Sequence, residues 1–131
     1  MGRIYDKKCD LKLISTLNLA FIGDAVFDLM VREMLICTST APVGVLNSLK
    51  IKIVCCKNQS KKIKGILAKL TDKEKSVFKR GRNAHTQNTP KNATAEEYHN
   101  ATGLETLFGY IYLMGDIKRL REIFELIIED I

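Results

Sequence analysis

At 131 residues, with 46% hydrophobic and 27% charged side chains, 8 Gly and 2 Pro, the chain has the composition of one ordered globular domain and not of a disordered tail or a fibrous repeat. Its formal charge of +6 sits in a central block: residues 38–92 hold 13 basic and 2 acidic side chains, against 5 and 5 before it and 3 and 8 after it. The apolar runs are too short and too charged to span a membrane, the start Met1–Lys8 lacks the apolar core of a secretory signal, and Cys9, Cys37, Cys55 and Cys56 form no Cys-x-x-Cys pair, which argues against a membrane protein, a secreted one and a structural zinc site and makes a cytoplasmic protein the expectation.

Apolar residues recur at spacings of three and four, which predicts helices. Leu13, Leu17, Ala20, Phe27 and Val31 share one stripe once position 24 is counted in it, so a first helix should fray near Leu11 and end near Ile36. Ser39, Thr40 and Pro42 break it and start another, in which Val45, Leu49, Ile53 and Cys56 keep helical spacing. A short helix follows around Ile63 to Leu70. Thr71-Asp72-Lys73-Glu74 has the form of a capping box, predicting a helix to about Arg80 that Gly81 stops. Gly81 to Asn92 has no periodicity and reads as a surface loop. Thr94-Ala95-Glu96-Glu97 is a second capping box, opening a helix that carries Ala101, Leu104, Leu107, Phe108, Ile111, Tyr112 and Met114. Gly115 and Asp116 break it before a final helix with Leu120, Ile123, Phe124, Ile127 and Ile128 on its apolar face. The expectation is an all-α fold of about six or seven helices, a single domain over 1–131. The cysteines, set beside apolar neighbours, should be reduced and in the core or half-buried.

A block of net positive charge with no acid between Thr38 and Thr71, and none from Lys75 to Ala95, seeks polyanions. Nucleic acid is the commonest in the cytosol, because each phosphate that Lys or Arg neutralises releases condensed counterions. The competing reading is a solvated lysine-rich face that serves solubility.

Two carboxylates stand where a hydrophobe belongs. Asp24 lies on the apolar stripe of the first helix between Ala20 and Phe27, and Glu105 lies on the stripe Ala101, Phe108, Tyr112. A carboxylate drawn from water costs several kcal/mol unless a cation, hydrogen bonds or a raised pKa compensates it, roughly the penalty of an unpaired buried charge. A shared divalent metal answers both needs, and oxygen-only ligands suit Mg²⁺. The alternative is an ion pair with Arg or Lys, or a stripe rotated away from the core. Gly23 marks close approach of another backbone or ligand, and Asp28, one turn on, either shares the site or faces solvent. Metal-binding carboxylates beside a basic patch point to phosphodiester hydrolysis.

Those residues also carry a resemblance. Asn18-Leu19-Ala20-Phe21-Ile22-Gly23-Asp24-Ala25-Val26-Phe27-Asp28 resembles the signature helix of the ribonuclease III family, and Leu104-Glu105-Thr106-Leu107-Phe108-Gly109-Tyr110-Ile111-Tyr112-Leu113 resembles its second acidic helix. Lys79-Arg80-Gly81-Arg82-Asn83-Ala84 and Thr89-Pro90-Lys91-Asn92 are similar to the loop of its Mini-ribonuclease III branch. Where larger members carry further acids, this chain has Leu17, Ala20 and Thr102, a reduction that the Mini branch shares. The resemblance implies the ribonuclease III endonuclease fold and a homodimer with Phe21 beside the subunit contact. It implies Mg²⁺-dependent hydrolysis of double-stranded RNA, with Mn²⁺ as a substitute, leaving 5′-phosphate and 3′-hydroxyl ends. Asp24 and Glu105 would be the catalytic and metal-holding pair, and the nucleophile a water that the metal activates. The implied substrate is the 23S ribosomal RNA precursor, with a ribosomal protein as an open helper candidate. No double-stranded RNA-binding domain is expected after Ile131, so the catalytic domain should hold its own RNA, through Lys79, Arg80, Arg82, Asn83 and Lys91.

Two alternatives differ in kind. One is a non-catalytic double-stranded RNA-binding protein on the same fold, against which the presence of both acids argues. The other is a helix-turn-helix DNA-binding regulator, which wants a compact base-reading helix that the spread-out cations do not supply.

Overall fold

A computed structural model describes residues 2–84 and 89–129. It gives six α-helices among the described residues: α1 (Thr16–Thr38), α2 (Val43–Val54), α3 (Cys56–Ile66), α4 (Asp72–Arg82), α5 (Ala95–Leu113) and α6 (Ile117–Ile128), with short 3-10 turns at Leu11–Leu13 and Leu67–Lys69. No strand occurs among the described residues.

Both capping boxes form. The Thr71 hydroxyl accepts the Glu74 N–H at 3.1 Å while Thr71 N–H donates to the Glu74 carboxylate at 2.9 Å. Thr94 and Glu97 exchange the same pair at 3.1 and 3.0 Å, so each box satisfies two donors that the helix itself leaves unpaired. Asp116 opens α6 by accepting from Arg119 N–H, after Gly115 turns the chain at φ 81°.

Four boundaries differ from the predicted ones. The first helix does not reach back to Leu11, because Ser15 caps it by accepting the Asn18 N–H at 3.2 Å; Leu13 and Leu17, placed on the buried stripe by periodicity, are exposed. On α2 only Ile53 is buried while Val45 and Leu49 face outward. Its stripe does not continue to Cys56: Cys55 is extended, the Asn58 side-chain amide donates to the Ile53 carbonyl at 2.9 Å, and a new helix starts there, one turn or more before Ile63. Gly81 is no stop signal. It lies inside α4, which runs on to Arg82, so the predicted loop shrinks to Asn83 and Ala84 and to the stretch before Thr94, with residues 85–88 outside the described ones. Cys37 and Cys55 are exposed rather than in the core, whereas Cys9 and Cys56 are half-buried, and all four thiols are free.

Helix α5 is the hub. α1, α3 and α4 all pack on it, and apart from the half-buried Glu105 and Tyr110 the residues from Asn100 to Ile111 are buried around almost its whole circumference, as expected of a helix without a polar side. Small residues permit the closest crossings. A methyl group at Gly23 would land on the Glu105 carbonyl, and one at Gly109 would land on the Leu19 carbonyl, so α1 and α5 touch backbone to backbone. Gly81 and Gly103 do the same for α4 and α5, against Thr106 and the Phe78 ring. Phe27 then packs edge-on to Phe108 and Phe124, with centroids 5.2 and 5.9 Å away, joining α1, α5 and α6 in one core. Arg119 ties α6 to α4 through two bonds to the Glu74 carboxylate, both 2.8 Å. Among the described residues no helix is long and apolar enough to cross a membrane.

Candidate active site and nucleic-acid interface

The site follows from the glycine crossing. Because Gly23 lies against the backbone of Glu105, the next residue of α1, Asp24, is delivered beside the Glu105 side chain. The two carboxyls come within hydrogen-bonding range: burial pushes Glu105 up to about 9, and both the hydrogen bond and the charge of Asp24 push it the same way. They are not the two core acids that periodicity implied, since Asp24 is exposed and Glu105 half-buried. The pair stands at the rim of the core, open to solvent on the α1 side.

Asp28 belongs to a different set of charges. It accepts from Arg32 at 2.6 Å and faces Lys50 at 3.6 Å. Thr102 donates its hydroxyl to the Tyr98 carbonyl at 3.0 Å and Ala20 is buried, so neither adds a ligand. Among the described residues no group of three metal-ligating side chains exists. Two carboxyls in contact form a hard oxygen donor set. With only two protein ligands, such a set fits an ion that keeps much of its coordination shell for water and phosphate oxygens. Cys56, at the start of α3, is a half-buried neighbour; burial, then the Glu105 charge, push its thiol up.

Of the residues predicted to contact nucleic acid, the structure groups three. Lys79, Arg80 and Asn83 line an open cleft of about 620 Å³ with Thr16, Lys75 and Ser76. Arg82 turns aside and lies 5.8 Å from the Phe78 ring centroid, and Lys91 is exposed on the chain leading to α5. Sequence reasoning missed the other three. Lys75 stands one turn before Lys79 on α4 and was legible from that spacing, whereas Thr16 comes from α1 and only the packing brings it there. In the lysine-rich α2–α3 region, Lys50 is engaged with Asp28 and Lys64 with Glu96 at 2.7 Å.

Phe21, three residues before Asp24, is 81% exposed. On the same helix Ala25 and Leu29 follow at one-turn intervals and are also exposed. Ala25 and Leu29 line an apolar cavity of about 460 Å³ with Ile22, Met30, Tyr112 and Phe124.

The model of the ribonuclease III domain matches residues 17–116. The chain is 41% identical over 129 residues to a Mini-ribonuclease 3 of Clostridium tetani, covering 98% of this chain and 85% of that one. It is 41% identical over 116 residues to a Mini-ribonuclease 3 of a Thermoanaerobacter species, covering 88% and 82%. A protein of Fusobacterium nucleatum, solved by X-ray crystallography, superimposes with a TM-score of 0.82 at 31% identity, covering 93% of this chain and 98% of that one.

Proposed function

The chain belongs to the ribonuclease III family, in its Mini-ribonuclease 3 branch, and is an endoribonuclease; from there we propose that it cuts double-stranded RNA with Asp24 and Glu105 as its catalytic pair and Mg²⁺ as its cofactor. The observation that carries the reading is the meeting of the two carboxyls at the α1–α5 crossing, where Glu105 is pushed up to about 9. A cation there relieves the repulsion that otherwise keeps a proton on the pair. When bound, Mg²⁺ supplies charge to the scissile phosphate and lowers the pKa of water in its shell, and Mn²⁺ can substitute.

The chain's own residues do the rest. Asp24 and Glu105 hold the ion at a fixed point, and Gly23 lets the two helices come close enough for both to reach it. The cations of α4 and the loop, Lys79, Arg80, Arg82 and Lys91, with the Asn83 amide, hold the duplex through phosphates and 2′-hydroxyls, the groups A-form RNA presents in its shallow groove. Residues 1–131 work as a single catalytic domain. Phe21, Ala25 and Leu29 form the apolar stripe of a homodimer contact, since an aromatic side chain 81% exposed, in line with two exposed apolar residues that edge a cavity, is a docking feature. Two protomers then present two pairs, one for each strand. The products carry 5′-phosphate and 3′-hydroxyl ends.

The substrate we propose is the paired region at the ends of the 23S ribosomal RNA precursor, with a ribosomal protein as helper. The test is incubation of the purified protein with a labelled duplex of that sequence in Mg²⁺, Mn²⁺ or EDTA, next to an unrelated duplex. Staggered cuts on both strands that need the metal and favour the precursor duplex support the reading. Tight binding without cutting in either metal would overturn it in favour of a non-catalytic RNA-binding protein on the same fold.

A further inference from the structure

We infer that the adjacent thiols of Cys55 and Cys56, at the break between α2 and α3, form a chelating site for a trivalent arsenical, one atom bridging two sulfurs, and that filling the site blocks the Asp24 and Glu105 pair; the second half rests on the nuclease reading above.

Both thiols are free, Cys55 exposed and Cys56 half-buried. Cys55 is extended, at φ −66° and ψ 152°, and both ends α2 and starts α3 without a side-chain cap. Its thiol donates to the Lys52 carbonyl at 3.4 Å on the exposed side, so neither sulfur is locked in the core. The Cα atoms of neighbouring residues stand about 3.8 Å apart, short of the roughly 4.4–6.8 Å that an ordinary disulfide spans, so a direct S–S bond between them is strained. A single atom held between the two sulfurs relieves that mismatch by putting two bonds in place of one. Among the described residues no third His, Cys, Asp or Glu completes a metal site, so the ligand is one satisfied by two sulfurs. Trivalent arsenic is such an atom, pyramidal and thiophilic, with its third bond kept to oxygen or carbon. Arsenous acid, As(OH)₃, exchanges two As–O bonds for two As–S bonds; the thiol protons leave with the hydroxyls as two waters, and no electron is transferred.

Position gives the site its effect. Helix α3 runs antiparallel along α5: the Asn100 amide donates to the Ser60 hydroxyl at 3.0 Å and Lys64 meets Glu96 at 2.7 Å, so a turn up α3 matches a turn down α5. One turn back from Ser60, Cys56 therefore stands level with Leu104 and Glu105. The charge of Glu105 reaches the Cys56 thiol, and that of Glu97 does so more weakly. A substituent on this sulfur enters the rim where Asp24 and Glu105 meet, and the exposed Cys55 sulfur gives it entry from solvent.

A buried donor without a partner lies beside the pair. Gln59 is 1% exposed, and among the described residues its Nε2 has no hydrogen-bond partner, a costly state for a buried amide. It follows Cys56 by three residues on α3, and helical side chains lean toward the N-terminus of their helix, which directs the amide to the turn that Cys56 occupies. The oxygen left on arsenic in the arsenite adduct is an acceptor for that N–H.

The test starts from the full chain carrying Cys9→Ser and Cys37→Ser, which leaves the pair as its only thiols. Phenylarsine oxide, which gives up its oxygen as water on bonding two sulfurs, is added at one equivalent and followed by intact mass, and cleavage is followed on a labelled RNA duplex in Mg²⁺. The expected adduct is one phenylarsine group per chain, removed by dithiothreitol but not by the same concentration of a monothiol. Cleavage should fall on the order of a hundredfold, the scale of a small misplacement at a reacting centre, and return with dithiothreitol. Cys55→Ser and, separately, Cys56→Ser should cut at the parent rate without the probe and carry no adduct that withstands the monothiol. Gln59→Met, which keeps the length of the side chain and removes the donor, should hold arsenite less firmly than the parent and phenylarsine equally well. No lasting adduct on the parent, or an equal one on Cys55→Ser, would overturn the site. Full labelling with cleavage unchanged would overturn the block at the catalytic pair, and equal retention of arsenite by Gln59→Met would overturn the part given to the amide. A parent that takes up the arsenical but never cuts RNA would overturn the nuclease reading and leave the dithiol site standing.

Discussion

Glu105 is the residue whose environment says most. Its carboxyl is raised from 4.5 to about 9 by burial first, then by its hydrogen bond to and the charge of Asp24. A carboxyl whose folded pKa lies above its unfolded one favours folding while protonated. That stabilisation is full below about 4.5 and is lost as pH climbs to about 9. In EDTA, Glu105→Gln should therefore melt close to the wild type near the acid end and progressively above it through that window. A gap that stays constant with pH would show that the Glu105 carboxyl is not raised by its surroundings. Since a cation competes with the proton, metal affinity of the wild type should rise over the same interval. Both acids were legible in the sequence, because a charge on an apolar stripe breaks a strong pattern. Their exposure was not: periodicity tells which face a residue shares, but not where the neighbouring helix stops covering that face, and here cover gives out around Asp24, Phe21 and Leu17.

At the scale of the helices, the α1–α5 crossing links stability to chemistry. Gly23→Ala puts a methyl group onto the Glu105 carbonyl, backbone that has no rotamer with which to yield. The cost should be at least that of ordinary overpacking, about 1–3 kcal/mol. Separation of the helices should also take Asp24 from Glu105. Denaturant unfolding should show a lower midpoint, and cleavage should fall by more than the folded fraction does; a variant as stable and active as the wild type would mean that the crossing is not tight. The local signals were readable here. The two capping boxes and the Gly115–Asp116 break lie within four residues of the ends they define, so sequence proximity suffices. The start of α3 was missed because it depends on a side chain, Asn58, reaching back to a carbonyl. Gly81 was read as a terminator because its real role, clearance for Thr106 and Gly103, belongs to a partner helix twenty residues on.

For the whole molecule, charge and apolar surface divide the work. Of the excess of cations in residues 38–92, Lys50 of α2 and Lys64 of α3 reach acids while Lys75, Lys79 and Arg80 of α4 gather at one cleft, a placement that depends on which elements the fold brings near. That α5 would be the hub was equally beyond sequence patterns, since a helix wrapped on all sides has no amphipathic stripe to announce its neighbours. The exposed stripe of Phe21, Ala25 and Leu29 predicts association. Phe21→Glu should shift the protein from dimer to monomer in sedimentation equilibrium and reduce paired two-strand cutting, with helix content retained; a dimer of unchanged affinity would move the interface to another face.

The most direct measurement is cleavage and binding by Asp24→Asn, which keeps the shape of the side chain and removes its charge. On a labelled RNA duplex in Mg²⁺ the expected result is loss of cutting by a factor on the order of a thousand or more, the scale of removing a main electrostatic group from a catalytic site, with the melting temperature and the salt-dependent binding of the duplex close to those of the wild type. Cutting at near wild-type rate by this variant would contradict the assignment of Asp24 and Glu105 as the catalytic pair.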